Sequence, residues 1–229
     1  MKNVADFNRL ILQETPDGSY TFHHTELNEN YHSLYGAKTE SQHVYIDQGL
    51  SKINKDCISV FEMGFGTGLN ALLTWQFSIR NKKSIYFRSI ETLPIPPEML
   101  PLPGFIRENQ NDIPMWEKIH QAQWEKDVRF DDSFTLCKQQ CDLLAYAIDS
   151  TFDIIFYDAF SPSIQPELWT ESVFKKLYAS LKNGGILVTY SSAGLVKKAL
   201  LTAGFELERL PGPPGKKHML RAIKQILKR

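Results

Sequence analysis

Short apolar runs alternate with amphipathic segments along most of the chain. The runs are rich in β-branched and aromatic residues and have the length of buried strands. They lie at 57–62, 84–90, 134–140, 152–158 and 186–190. Between them, apolar positions spaced three and four apart predict helices at 69–79, 113–124, 167–181 and 195–203. This alternation predicts an α/β protein with a doubly wound, mostly parallel sheet.

Both ends of the chain depart from this alternation. Residues 9–13 and 19–23 flank a Pro-Asp-Gly turn and predict an N-terminal hairpin, and 31–50 has a mixed helical pattern. Near the other end, 205–210 and 218–223 flank a loop rich in proline and glycine. They predict a closing antiparallel pair.

Two glycines mark the expected end of one helix. Asn183-Gly184-Gly185 is expected to end the helix predicted at 167–181, since glycine favours helix C-termini.

No repeat or linker divides the chain. We therefore expect residues 1–50 to pack as an extension on a single globular unit at 51–229.

Composition excludes several classes of protein. Of 229 residues, 42% are hydrophobic and 23% are charged, which suits a folded domain and not a disordered polyelectrolyte. No apolar run reaches the roughly 18 residues of a membrane span, and the N-terminus lacks the apolar run of a secretory leader, so we expect a cytoplasmic protein without membrane contact. The three cysteines and the pair His23-His24 have no metal-ligand spacing, so no metal site is expected.

Charge is unevenly distributed although the formal net charge is zero. Residues 174–229 contain twelve basic and two acidic side chains, which gives +10, and residues 1–173 therefore carry −10. A basic half suits a polyanionic partner such as a nucleic acid. A merely solubilising surface explains the same charges.

A glycine-rich turn follows the first predicted core strand, where open α/β sheets bind ligands. Gly64, Gly66 and Gly68 form a G-x-G-x-G pattern, and Leu69 stands where the dinucleotide fingerprint needs its last glycine. Glu62 just before the turn is expected to hold an ammonium group, directly or through water, and Glu91 at the end of the next strand is expected to bind ribose hydroxyls. Such a pocket suits S-adenosylmethionine, which carries an ammonium and a sulfonium group but no phosphate.

Asp158 ends the most apolar strand and begins a loop that contains Phe160. Its carboxylate would accept hydrogen bonds from a substrate amine, stabilise the charge that grows on the nitrogen and help remove the proton. Phe160 would stack on a flat base or face a cation. A capping aspartate beside a core phenylalanine is the structural alternative.

Five segments resemble the methyltransferase domain of the MnmC family, which completes 5-methylaminomethyl-2-thiouridine at the wobble position of some tRNAs. They are 31–41 (YHSLYGAKTES), 64–70 (GFGTGLN), 157–169 with YDAFSP and PELW at its ends, 189–194 (TYSSAG) and 211–220 (PGPPGKKHML). Together they span nearly the whole chain, and their combination is specific to this family.

The resemblance implies a Rossmann-like methyltransferase fold at 51–229, S-adenosyl-L-methionine as cofactor, and methyl transfer to an aminomethyl nitrogen on a tRNA uridine. It implies Asp158 as the catalytic residue. It also implies cofactor contacts from Asn70, and from Gln140 or Asp142 to the adenine. Family members often have Gly-Asp at this last position, so the choice between the two stays open here. Tyr31 and Glu40 are expected either to form a lid over the cofactor or only to pack the N-terminal segment.

The resemblance further bears on partners. The chain ends without room for the flavin-dependent oxidase domain of bifunctional relatives, so we expect a stand-alone form whose aminomethyl precursor comes from a separate enzyme. Lys216, Lys217 and Arg221 are expected to contact phosphates near the tRNA anticodon, or to form only a solvated hairpin end.

Three other functions are compatible with parts of the pattern. The same site could methylate a small-molecule amine, although the basic C-terminal half argues against it. A catalytically silent RNA-binding module is disfavoured by Asp158 and the intact glycine turn. An NAD-dependent dehydrogenase is disfavoured by Leu69.

Overall fold

The computed structural model describes residues 4–226, with side chains from residue 7 onward, so Lys228 and Arg229 of the basic half lie outside it. Strands β1 (Leu10–Glu14), β2 (Tyr20–His24) and β3 (Glu29–Asn30) form a small antiparallel sheet. The predicted N-terminal hairpin is confirmed. Helix α1 (Ala37–Ser41) continues into a π-helical turn at Gln42–Asp47, as the mixed helical pattern of this region indicated.

The main sheet in the described part of the chain has eight strands. They are β4 (Cys57–Met63), β5 (Ser84–Glu91), β6 (Asp127–Arg129), β7 (Phe134–Gln140), β8 (Phe152–Tyr157), β9 (Leu181–Thr189), β10 (Glu206–Pro211) and β11 (His218–Ile223). Their order is β10-β11-β9-β8-β4-β5-β7-β6. The five central strands are parallel, whereas β6, β10 and β11 are antiparallel to their neighbours. The predicted doubly wound sheet and its C-terminal antiparallel pair are confirmed.

Helices cover both faces of this sheet. They are α2 (Leu69–Asn81), α3 (Gly104–Glu108), α4 (Ile113–Gln121), α5 (Glu171–Ala179) and α6 (Gly194–Thr202). Single 3₁₀ turns occupy Val4–Arg9, Leu50–Lys52, Pro97–Met99, Gln110–Asp112 and Pro166–Trp169. On one face, Phe22 and Val44 pack in the same apolar cluster as Leu72 of α2 and Ile119 of α4. The N-terminal extension therefore shares a core with the main sheet.

One helix prediction was wrong at both ends. The helix expected at 167–181 is a 3₁₀ turn followed by α5, because the side chain of Thr170 accepts a hydrogen bond from the Val173 amide (3.5 Å) and caps a new helix there. Gly184 and Gly185 do not end it. They lie inside β9, where Gly184 has a φ of 76° and the pairing register with β8 shifts.

Two smaller differences concern the edge of the sheet. Helix α4 ends at Gln121, and Trp124 instead forms a β-bridge with Lys138. Strand β6 has too short a pattern to be recognised from sequence. Among the described residues no helix combines the length and apolar character needed to cross a membrane.

Candidate functional site

A cavity of about 670 Å³ opens at the carboxyl ends of β4, β5, β7 and β8. The chain passes from β4 to β5 in one direction and returns to β8 on the other side of β4, so the cavity lies where the strand order reverses. The glycine turn forms one wall. Gly64 has a φ of 95°, and a Cβ there would lie 2.6 Å from the carbonyl oxygen of Asp158. Only glycine allows β4 and β8 to end this close together.

Glu91 connects the turn to the next strand. Its Oε2 accepts a hydrogen bond from the Gly66 amide (3.1 Å), and its Oε1 accepts one from the Leu93 amide (3.0 Å). Burial raises the pKa of this carboxyl group, against the effect of these hydrogen bonds. The side chain lines the cavity and keeps unused acceptor capacity, which suits the hydroxyl groups of a ribose.

Asp158 follows β8 directly and lines the cavity. Its Oδ2 accepts a hydrogen bond from Asn70 Nδ2 of α2 (2.9 Å). Burial raises the pKa of Asp158 to about 7, although hydrogen bonds from Tyr45 and Asn70 act in the opposite direction. A carboxyl group with this pKa can exchange a proton near neutral pH, which suits a role in proton transfer.

Glu62 and Asn70 do not occupy the expected positions. Glu62 is 0% exposed, and neither side chain is among the described residues that line the cavity. Ser89 donates a hydrogen bond to Glu62 Oε2 (2.5 Å), while Asn70 is directed at Asp158. Glu62 therefore does not line the cavity directly, because its carboxyl group is enclosed behind the glycine turn. A contact with the ammonium group through water stays a prediction.

The two candidates for the adenine contact are separated by the structure. Gln140 is exposed, donates to the carbonyl oxygen of Thr92 (3.3 Å) and does not line the cavity among the described residues. Asp142 does line it. The geometry therefore favours Asp142.

Two aromatic side chains close the cavity on the side of the N-terminal extension. Tyr31 lies edge-to-face on Phe160, with ring centroids 4.9 Å apart. Ser161 donates to Glu29 Oε2 of β3 (2.6 Å) and joins the loop after β8 to the small sheet. The lid expected at Tyr31 thus agrees with the geometry, whereas Glu29 carried no sequence signal because its partner is 132 residues away.

The three predicted phosphate contacts have different environments. Lys216 lines the cavity, forms an ion pair with buried Glu40 and lies 4.2 Å from the ring centroid of Tyr190. Arg221 bonds to Glu208 (2.5 Å) and to the carbonyl oxygen of Gln48 (3.1 Å). Lys216 and Arg221 are both paired inside the fold, so their phosphate contacts stay a prediction that the structure does not favour. Lys217 is exposed.

The charges around the cavity decide which cofactor it fits. Among the described residues its lining contains six carboxyl groups and one lysine; the acids are Glu29, Glu40, Glu91, Asp142, Asp158 and Glu167. A diphosphate would be repelled by this wall, whereas a cationic sulfonium with an ammonium group is attracted. The ribose acceptor Glu91 and the open glycine turn complete the fit to S-adenosylmethionine.

A family model described as an S-adenosyl-L-methionine-dependent methyltransferase matches residues 106–225. The chain belongs to this family. The predicted enzyme class and cofactor are thereby confirmed, and an NAD-dependent dehydrogenase is excluded.

Curated relatives of this methyltransferase carry the name tRNA 5-methylaminomethyl-2-thiouridine biosynthesis bifunctional protein MnmC. That of Actinobacillus pleuropneumoniae serotype 5b (strain L20) is 29% identical over 231 residues, which cover 88% of the chain and 34% of the relative. That of Cupriavidus metallidurans (strain ATCC 43123 / DSM 2839 / NBRC 102507 / CH34) is 30% identical over 204 residues, which cover 82% and 30%. The chain thus spans about a third of the length of these relatives. They confirm the resemblance to the MnmC methyltransferase domain.

Solved structures agree with the methyltransferase fold. MnmC2 from Aquifex aeolicus is 23% identical with a TM-score of 0.74, covering 96% of this chain and 70% of that one. Spermidine synthase from Thermotoga maritima is 16% identical with a TM-score of 0.50, covering 96% and 74%. At these identities the comparison establishes the fold alone.

Proposed function

We propose that this methyltransferase transfers a methyl group to the aminomethyl nitrogen of a modified wobble uridine in tRNA. The observation that carries the proposal is the position of Asp158, which lines an acidic cavity beside the glycine turn and has a pKa of about 7. The names of the curated relatives point to the same nucleoside.

The bound cofactor supplies an electrophilic methyl group on a positively charged sulfur. Asp158 accepts hydrogen bonds from the N–H groups of the acceptor amine, so the nitrogen lone pair points away from the carboxylate and towards the methyl carbon. When the new N–C bond forms and the S–C bond breaks, the nitrogen becomes positively charged. Asp158 stabilises this charge and is suited to take up the proton that the nitrogen then loses.

Aromatic side chains beside Asp158 suit a nucleobase. Phe160 follows it by two residues, and Tyr190 donates its hydroxyl to the carbonyl oxygen of Ala159 (2.9 Å). Both line the cavity together with Tyr31. Stacking on such rings holds an unpaired anticodon base, and wobble bases are unpaired in free tRNA.

The outer surface beside the cavity suits the RNA backbone. Lys217 and Arg209 are exposed, and Lys197 lies near them on α6. The pKa of His218 is lowered, first by loss of solvation and then by these three cations, so all of them lie close to it. We propose that this basic patch (Lys197, Arg209 and Lys217) contacts phosphates of the anticodon region, and that a separate enzymatic activity supplies the aminomethyl group.

The test uses the purified chain, S-adenosylmethionine with a labelled methyl group, and tRNA that carries 5-aminomethyl-2-thiouridine. We expect mass spectrometry of the nucleosides to detect the labelled 5-methylaminomethyl product, and the Asp158→Asn variant to form none. Label transferred only to a free amine added in competition would identify a small-molecule methyltransferase. Binding of tRNA without any transfer from a chain that binds the cofactor would identify a silent RNA-binding protein.

A further inference from the structure

Two buried oxygen atoms behind the glycine turn have no hydrogen-bond partner among the described residues. They are Glu62 Oε1 and Asn70 Oδ1. Both atoms are acceptors in an ionised carboxylate and a neutral amide, and a buried acceptor without a donor destabilises the fold. Two such atoms in adjacent side chains require an explanation.

The two side chains belong to one connected group. Ser89 of β5 donates to Glu62 Oε2 (2.5 Å), and Asn70 Nδ2 donates to Asp158 Oδ2 (2.9 Å). The Asn70 side chain also interacts with the Glu62 carboxyl group, so it lies between the two carboxyl groups. No cation among the described residues contacts Glu62, which is fully buried.

We propose that Glu62 is a neutral carboxylic acid that positions Asp158 through the bridging amide of Asn70, and that it is not an ionic ligand of the cofactor. A proton on Oε1 makes this atom a donor, and we assign the unpaired Asn70 Oδ1 as its acceptor. One proton thus satisfies both unpaired atoms. It also fixes the orientation of the amide, so that its N–H faces Asp158.

The charged groups around this network agree with that assignment. Burial raises the pKa of Glu62 well above its usual range, and Asp158 and Glu91 raise it further, against the hydrogen bonds from Ser89 and Asn70. Asp158 borders the cavity and is faced by the Tyr45 hydroxyl, Glu40, Lys216 and Asn70. Of the two bridged carboxyl groups, Asp158 therefore carries the charge, since like charges this close do not both ionise.

The first experiment measures the proton on Glu62 directly and needs no methyl transfer. Infrared difference spectra between the wild type and Glu62→Gln at pH 7 should contain the C=O band of a buried protonated carboxyl group, which is lost in the variant. Titration calorimetry should give a dissociation constant for S-adenosylmethionine within about threefold of the wild type, because the glutamine keeps the shape and the neutral charge. Absence of that band, or a more than tenfold loss of cofactor affinity, would assign Glu62 as an ionised cofactor ligand and overturn the proposal.

The second experiment measures positioning and rests on the proposed function. Asn70→Ala removes a hydrogen bond that favours ionised Asp158, so the acid limb of the pH–rate profile should move to higher pH by about one unit. Glu62→Ala should move it in the same direction, and Glu62→Gln should restore most of the wild-type profile. Thr74→Val is the control, since Thr74 is an equally buried polar residue one turn further along α2 and should leave the profile in place. If Asn70→Ala and Thr74→Val have the same profile, the bridge has no positioning role.

The two experiments fail separately. A wild-type chain that methylates no tRNA would contradict the proposed function, but the infrared band and the cofactor affinity would still decide the protonation state of Glu62.

Discussion

Replacing Asp158 by asparagine removes a negative charge from the cavity wall while it keeps the shape of the side chain. Burial raises the pKa of Asp158 from its ordinary value of 3.8 to about 7. A difference of about three between the pKa values of the folded and the unfolded chain changes the free energy of unfolding by about 4 kcal/mol. This is an upper value for the effect on stability, because the carboxyl group borders the cavity and remains partly hydrated.

The sign of the effect follows from the direction of this pKa change. Below about pH 4 the group is protonated in the folded and the unfolded protein, so its pKa has no effect on stability. Between about pH 4 and pH 7 the unfolded chain ionises while the folded protein keeps the proton, and the free energy of unfolding falls. Above pH 7 the folded protein also ionises Asp158, and the buried charge lowers the free energy of unfolding by its full amount. Asp158→Asn has no such charge, so we expect it to be more stable than the wild type at pH 8 by about 2–4 kcal/mol, although it should be inactive.

Urea unfolding followed by tryptophan fluorescence at pH 5, 6, 7 and 8 measures this difference. The control is Asp153→Asn on the same strand. Although burial acts to raise the pKa of Asp153, its ion pairs with Lys182 and Lys55 lower it to about 2. This carboxylate stabilises the fold above about pH 4 and loses its effect as the pH falls towards 2, so its asparagine variant should be less stable at pH 8. A stability gap for Asp158→Asn that is equal at pH 5 and pH 8, or of opposite sign, would refute the buried, proton-accepting environment of Asp158.

Three further predictions concern the walls of the cavity and its outer surface. Lys216→Met should move the acid limb of the pH–rate profile to higher pH and Glu40→Gln to lower pH, because Lys216 lowers the pKa of Asp158 and Glu40 raises it; shifts in the same direction would contradict this. Gly64→Ala should abolish cofactor binding in calorimetry and destabilise the fold by about 1–3 kcal/mol, because its Cβ would collide with the Asp158 carbonyl oxygen. Replacing Arg209 and Lys217 by glutamine should reduce the slope of log affinity for tRNA against log salt concentration by about two. The control is Lys82→Gln, because exposed Lys82 lies at the opposite edge of the sheet, and it should leave this slope unchanged.

The elements that sequence predicted well depend on local patterns. Strands β4 and β8 are mostly apolar runs, and the glycine turn after β4 has a composition that few other structures require. Chain order alone places the ends of parallel strands at one edge of the sheet, so Asp158 and Glu91 could be assigned to the cavity from their positions. Strand β9 was only partly predicted, because glycines inside a strand resemble a helix end until the pairing with β8 is known.

The remaining features depend on contacts between distant parts of the chain. Asn70 and Asp158 are 88 residues apart, and Lys216 and Glu40 are 176 residues apart. The sequence shows that Lys216 is charged, but it does not show where the side chain points. Lys216 was therefore expected at the RNA surface, whereas its side chain lines the cavity. Glu62 illustrates the same limit, since its position before the turn suggested a cofactor contact, whereas its side chain is completely buried and does not line the cavity.

The separation of charge within the fold is compatible with the proposed tRNA substrate. The carboxyl groups line the inside of the cavity, where they attract a cationic cofactor and an amine, whereas the basic patch lies on the outer surface at the same edge of the sheet. A chain with formal net charge zero therefore presents surfaces of both signs side by side. In the proposed reaction only the modified base enters the negative region, and the phosphates stay at the patch.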